Sequence, residues 1–276
     1  MTETDNTPTL ETGWLPSTPD SDSYLRRFLL NWAGFCGATA VSLGGENEIL
    51  PSMRLADARR PAAFANCATL MQPLDAESGP ERLSRIAEFY GFDDPTRSGE
   101  VLLCSAWPSG DLNRYGWQLM GHPPVNLLPR GATPTVPPPE LRITEVRDPE
   151  SLYIWERVGI AAYPLEGLLD AGPGAIVHES WLDDPHRRMW IGWVDDEPVC
   201  ASSVWIEHGI NDVTLVVTMP EARRRGYGEA LTWVAAQADP ELPSMLLSSD
   251  DGRAVYERMG FLPLVRVTLW YRNRSV

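Results

Sequence analysis

Between residues 141 and 276 the hydrophobic pattern switches between a period of two and a period near 3.6. "LRITEV" (141–146) alternates and predicts a short strand. "DPESLYIWERVGIAAYP" opens with Asp before Pro, with Glu following, and predicts a helix ending near Pro164. "RRMWIGWV" and "VCASSVWIEHG" predict strands flanking the turn "DDEP". "NDVTLVVTM" predicts a strand stopped by Pro220. Leu231, Val234, Ala235 and Ala238 recur at helical spacing within "RRGYGEALTWVAAQA". "SMLLSS" predicts a short buried strand, "DGRAVYERMG" a helix closed by Gly260, and "LVRVTLWYR" a last strand. The order β-α-β-β-β-α-β-α-β predicts a mixed α/β unit.

Upstream the pattern is less regular. Residues 1–22 are rich in Thr, Ser, Asp and Pro and predict a disordered acidic tail. "SYLRRFLLNWAGFCG" predicts a helix. "PRGATPTVPPPE" (129–140) predicts an extended linker, because proline favours a stiff, unpaired backbone. The division is then an N-terminal domain over 23–128, the linker, and a C-terminal domain over 141–276. The two halves echo each other. "WQLMGHPPV" (117–125) lines up with "YERMGFLPL" (256–264), and the apolar runs "VLLCS" and "MLLSS" precede them. "TLMQPLDAESGPERL" resembles "TLVVTMPEARRRGYGEAL". Two copies of one fold are expected. In the first copy Glu77 and Glu81 flank Gly79 and the arginines are missing, so an anion would be repelled there.

Composition narrows the chemistry. The formal net charge of −15 argues against nucleic acid and mildly favours a cationic small molecule. Every basic side chain is arginine, which removes any lysine Schiff base or self-acylation. Cys36, Cys67, Cys104 and Cys200 are far apart, with no C-x-x-C pair, and are expected to be buried thiols with no metal site. No apolar run is long enough for a membrane span, and the polar N-terminus lacks the features of a signal peptide, so a cytoplasmic protein is expected.

Against this acidic background stands Arg223-Arg224-Arg225-Gly226-Tyr227-Gly228. A strand stopped by proline, then arginines, then Gly-x-Gly opening a helix, suits an anion. The first helical N–H groups have no partner, the helix dipole is positive there, and glycine admits close approach. Arginine adds forked hydrogen bonds to phosphate oxygens. The run is neither a Walker loop nor the dinucleotide fingerprint. A basic surface turn before an ordinary helix is the alternative.

The context resembles the GNAT superfamily of acyl-CoA-dependent N-acyltransferases. Its pyrophosphate motif, [RQ]-x-x-G-x-[GA], is matched by residues 223–228, and "VVTMPEA" resembles the strand exit before it. "LLSSDDGRAVYERMGF" resembles the second signature, a tyrosine on the last helix before a Gly-Phe pair. The resemblance covers about residues 141–272, and the first half is similar, more weakly, to the degenerate halves of two-copy members. It implies a central mixed sheet flanked by helices in two tandem copies, only the second functional. It implies acetyl-CoA, or another acyl-CoA, held by Arg223, Arg224, Arg225, Gly226, Tyr227, Gly228 and Glu229, with pantetheine alongside Val217, Thr218 and Met219. It implies Tyr256 as proton donor to the departing thiolate. The aligned Trp117 of the first half offers no such acid. A general base is implied where the third strand ends and the fourth begins, and there Glu207 ranks ahead of His208 and Asp212. Trp190, Trp193 and Trp205 alternate on adjacent strands and read as core rather than as a cage for a cation.

The function expected is N-acetyl transfer to the primary amine of a small molecule, by direct attack in a ternary complex. The alternatives are a non-catalytic acyl-CoA-binding module and an acyltransferase for a larger metabolite held between the halves. Loss of activity on deleting residues 1–130 from a folded remainder would favour the last. A homodimer is compatible with each.

Overall fold

The computed structural model describes residues 23–97, 99–163 and 165–274; the expected acidic tail lies outside them. In chain order the first half forms α1 (Tyr24–Ser42), β1 (Glu46–Leu50), β2 (Met53–Asp57), β3 (Asn66–Leu70), α2 (Gly79–Tyr90), β4 (Gly99–Ser105), β5 (Gln118–Gly121) and β6 (Pro124–Leu128). The second half forms β7 (Arg142–Glu145), α3 (Pro149–Ala162), β8 (Arg187–Val194), β9 (Glu197–Glu207), β10 (Ile210–Thr218), α4 (Tyr227–Ala236), β11 (Ser244–Leu247), α5 (Asp250–Met259), β12 (Leu262–Arg266) and β13 (Thr268–Arg274). Local chemistry explains many boundaries. Asp148 caps α3 through the N–H of Ser151, whose hydroxyl group lies 3.3 Å from the Asp148 N–H in return. Asp195 and Asp196 both take positive φ, 49° and 63°, as the tight β8–β9 hairpin requires. Among the described residues no helix is long and apolar enough to cross a membrane.

Two mixed sheets result, each flanked by helices. The first has the order β1-β2-β3-β4-β13-β5 and the second β12-β6-β11-β10-β9-β8-β7. Each sheet therefore holds one strand from the other half. β13 lies between β4 and β5, and β6 lies between β11 and β12. The arms β5–β6 and β12–β13 pair antiparallel along their length, from Gln118↔Tyr271 and Gly121↔Leu269 to Pro124↔Arg266 and Leu127↔Leu262. Where this ribbon passes between sheets, Val267 N–H donates to Pro123 O (3.1 Å). Pro123 and Pro124 have no N–H to give, so the regular ladder stops there. "LVRVTLWYR", expected as one strand, is thus two strands in two sheets.

The duplication is visible in the layout, but not in the register that the sequence suggested. Gln118–Gly121 is a strand, whereas Tyr256 lies within α5. In the first half the place of that helix is taken by one 3-10 turn, Asn113–Tyr115, closed by Gly116 at φ 81°. Trp117 is buried edge-on to Phe92.

α1 is apolar on nearly all sides because it lies between the sheets. It packs on β1, β2 and β3 of one and on β9 and β10 of the other. Arg187 of β8 is buried beneath it, stacked 3.8 Å from the Trp181 ring centre and donating to Thr39 Oγ1 (3.0 Å). Burial lowers this guanidinium to about 9. Trp205 faces the same side as Arg187, while Trp190 belongs to the core beneath α4, so these tryptophans pack on opposite faces and form no common cage. All four cysteines are free and buried.

The exchanged strand is pinned at its end. Arg274 of β13 donates to Asp57 Oδ1 (2.6 Å), and Arg97 lies 3.4 Å from Asp57 Oδ2. The Asp57 and Arg274 side chains are almost wholly buried. Asp57→Ala leaves a buried guanidinium without its carboxylate, so denaturant unfolding should show a loss of about 3–5 kcal/mol. A loss under about 1 kcal/mol would mean that water reaches the pair.

Candidate active site

β10 ends at Thr218, and Pro220 opens a single 3-10 turn, Pro220–Ala222. The chain then alternates: Arg224 takes φ 64° and Gly226 φ 83° before α4 starts at Tyr227. Positive φ at alternate residues is the backbone pattern of an anion-binding nest, in which successive N–H groups converge. Among the described residues, no acceptor meets the backbone N–H of Arg224, Arg225, Gly226, Tyr227 or Gly228. α4 also presses close to the strand it follows. A methyl group on Gly228 would fall 3.2 Å from Thr218 Oγ1.

The side chains of the loop divide. Arg224 and Arg225 are exposed, with Arg225 next to the Glu140 carboxylate. Arg223 donates instead to two main-chain carbonyls, Thr218 O and Ala162 O, at 3.1 Å each. Tyr227 is buried and donates to Glu140 Oε1 (2.9 Å), and Thr135 donates to Glu229 Oε1 (3.0 Å). The linker therefore lies along α4, and a methyl group on Gly226 would fall 3.4 Å from Pro138 Cγ.

The corresponding turn of the first half carries its own anion. Asp75 Oδ1 accepts from the N–H of Glu77 (3.0 Å) and Ser78 (2.6 Å), and Oδ2 accepts from Ser78 Oγ (2.8 Å). These bonds hold the carboxyl below its usual range. The N–H groups of Glu77 and Ser78 are thus already bonded, unlike those of the 223–228 loop.

Next to that loop the second sheet opens. β10 pairs with β11 at only two positions, Asn211↔Ser244 and Asp212↔Met245, while its pairing with β9 continues to Thr218↔Cys200. From Val213 onward one edge of β10 is left without a strand partner. A bulge at Thr214 coincides with the start of this opening, and Thr214 Oγ1 lies 2.8 Å from Ser203 Oγ. α5 begins three residues beyond the end of β11, at the mouth of the gap. On it Tyr256 stacks edge-on to Phe261, and burial pushes its phenol up to about 12. Its hydroxyl has no hydrogen-bond partner among the described residues. Gly252 makes room for the ring, since a methyl there would fall 2.6 Å from Tyr256 Cε2. The spacing Gly-x-x-x-Tyr on one helix is the signal that could have revealed this role.

The three base candidates separate. Glu207 ends β9 opposite Ile210, and its Oε2 accepts from Trp205 Nε1 (3.0 Å). His208 sits in the hairpin turn at φ 50°, its Nε2 3.8 Å from Glu207 Oε1. At about 3.3 Å per residue, Ile210 lies about 16 Å from Leu215 at the bulge. Asp212 lies at the apex of the gap, opposite Trp205, and is fully buried with Oδ2 unpartnered. Burial raises its carboxyl well above the ordinary range.

Two contributors went unread in the sequence. Asn31 of α1 donates to Trp205 O (3.3 Å) and Glu207 O (3.0 Å), so the first half walls this side of the second sheet. Glu156 is buried and accepts from the N–H of Gly174 (2.8 Å), Ile176 (2.7 Å) and Val177 (3.2 Å), which anchors the segment after α3. A glutamate on the apolar face of "LYIWERVGI" was the available clue.

No family model matches the sequence, and no curated protein matches it. Solved structures do. A GCN5-related N-acetyltransferase from Kribbella flavida is 20% identical, covering 87% of this chain and 95% of that one, with a TM-score of 0.61. A functionally unknown conserved protein from Staphylococcus epidermidis is 11% identical over 85% and 96%, with a TM-score of 0.62. A GCN5-related N-acetyltransferase from Sphaerobacter thermophilus is 13% identical over 89% and 92%, with a TM-score of 0.50. At these identities the likeness is one of fold, and it extends over both halves.

Proposed function

We propose that this chain transfers an acetyl group from acetyl-CoA to the primary amine of a small molecule, with residues 141–276 carrying the chemistry. The observation that carries this reading is the row of unpartnered N–H groups from Arg224 to Gly228, placed where β10 parts from β11. Those amides fit a pyrophosphate, and Arg224 and Arg225 add charge. The open edge of β10 from Leu215 to Val217, with Thr218 and Met219 beyond it, fits an extended pantetheine arm. When bound, acetyl-CoA supplies an acyl group already activated as a thioester. Free N–H groups on the same edge would stabilise charge developing on the acyl oxygen.

The remaining work is moving protons. An alkylammonium has a pKa near 10 and must give up a proton before it can attack. Asp212 at the apex would take that proton, and Glu207, farther along the same face, would relay it outward through water. Tyr256 holds a proton at its hydroxyl for the departing thiolate. The acidic surface, net −15, would favour a cationic acceptor. The self-filled Asp75 turn supports an N-terminal half that shapes the site without a second reaction centre.

Saturating acetyl-CoA, at 100 times Kd, should stabilise the wild type by about 2.7 kcal/mol. For a chain of this size that is a rise in Tm of about 5–10 °C. Arg224→Ala should shrink the shift. No shift with acetyl-CoA, CoA or longer acyl-CoAs would reduce the arginine run to a surface turn. Tyr256→Phe should keep the shift and lower the rate about 10²-fold or more, read by thiol release against a panel of amines. An unchanged rate would make Tyr256 a packing residue.

A further inference from the structure

Arg223 opens the arginine run but is bonded unlike its neighbours. Its Nε donates to Thr218 O, at the last residue of β10, and its Nη2 to Ala162 O, at the last residue of α3. The C-terminal pole of a helix gathers unpartnered carbonyls and favours a cation. α3 has no basic residue in its own last turn, so Arg223 supplies that cation from across the sheet. With Nε and Nη2 committed to carbonyls, the edge of the guanidinium best suited to a forked phosphate contact is already in use. Arg224 and Arg225 are exposed and, among the described residues, make no such bond to a carbonyl; Arg225 lies beside the Tyr227 hydroxyl group and the Glu140 carboxylate.

We propose that Arg223 is a positioning residue, a bracket that makes the 223–228 loop and the end of α3 move as one. This rests on the reading of that loop as a cofactor cradle. The segment after α3 is held at its far end by Glu156, through Gly174, Ile176 and Val177. Its near end carries the exposed apolar side chains Tyr163 and Leu169. Occupation of the loop would therefore be felt in this segment through Arg223, and the coupling would run both ways. The phosphate charge itself falls to Arg224 and Arg225.

Amide hydrogen exchange over residues 159–163 tests the bracket, on the full chain, in wild type, Arg223→Ala and Arg224→Ala, with and without CoA. Without CoA, Arg223→Ala should speed exchange there about tenfold, as expected for one lost charge-assisted bond, and Arg224→Ala should not. CoA should slow these amides in wild type but not in Arg223→Ala. The Kd for CoA should rise less in Arg223→Ala than in Arg224→Ala. Unchanged exchange in CoA-free Arg223→Ala overturns the proposal. So does equal slowing by CoA in both proteins, or a loss of CoA affinity as large as that of Arg224→Ala. If the wild type binds no CoA, the cofactor reading falls, and the CoA-free comparison still decides whether the bracket exists.

Discussion

A chain ending at Val267 is expected not to fold cooperatively, even though the missing strand lies far in sequence from the sheet it leaves. Among the described residues β13 alone bridges β4 and β5. Its loss removes Leu269 and Trp270 from the core, contributions of about 5–10 kcal/mol together, and leaves Asp57 without Arg274. That total rivals the whole stability of an ordinary domain, about 5–15 kcal/mol. Size-exclusion chromatography and thermal unfolding of the truncated chain should report an expanded or aggregated species without a sharp transition. A peptide spanning residues 268–274, added in trans, should restore part of it. A cooperative transition within about 1 kcal/mol of the full chain would show that β4 and β5 can pair directly, and the ribbon would then be dispensable. The same geometry invalidates deletion of residues 1–130 as a probe of a shared acceptor site. That deletion takes β6 from between β11 and β12, and α1 from the face of β9 and β10. Loss of activity would then follow from misfolding alone.

Asp212→Asn should stabilise the fold and disable the reaction together. The folded carboxyl is raised well above its ordinary range by burial. Below the ordinary aspartate pKa, about 3.9, both folded and unfolded chains hold the proton and there is no penalty. As pH rises above that value the unfolded chain ionises while the folded one keeps its proton. Stability then falls by about 1.4 kcal/mol per pH unit until the folded pKa is reached. Asparagine never ionises, so the variant's advantage over wild type should widen as pH rises above the ordinary aspartate pKa and level off once the folded carboxyl ionises. Activity should move the other way. A base works only when deprotonated, so the wild-type rate should climb over the range in which its stability declines, and the variant should lose about 10²–10⁴-fold. Melting curves and rates measured across pH on both proteins separate the two effects. Parallel melting profiles would show Asp212 ionised and solvated in the native state. An unchanged rate would move the base to Glu207.

Most elements of the second half are legible in the sequence because each rests on a local cause. Met189 and Ile191 in β8 face one core and Trp190 between them the other, Pro220 follows the end of β10, and Gly260 closes α5 at φ 92°. The exchange of β6 and β13 is not legible, because alternation tells which face a residue buries but not which strand lies beside it. α1 illustrates the same limit. Its all-round apolar surface announces burial, but not that two sheets share it. The turn at 223–228 is readable because its positive-φ position favours glycine and the strand exit before it favours proline. The different bonding of its arginines is not, since Arg223 is set apart by Ala162 O, 61 residues away in the chain. Asp212 stands out only once β11 is seen to stop pairing beside it.

The exchanged strands also set a timetable for synthesis. β4 and β5 leave the ribosome with a vacant slot between them, and the strand that fills it begins at Thr268, 147 residues after Gly121. At about 5–20 residues per second, that gap lasts about 7–30 s. Throughout that time the nascent first sheet exposes two unsatisfied edges, the apolar side chains of β4 among them. Translation speed over the second half, and whatever holdase occupies the slot meanwhile, would then govern the yield of soluble protein as strongly as the stability of the finished fold.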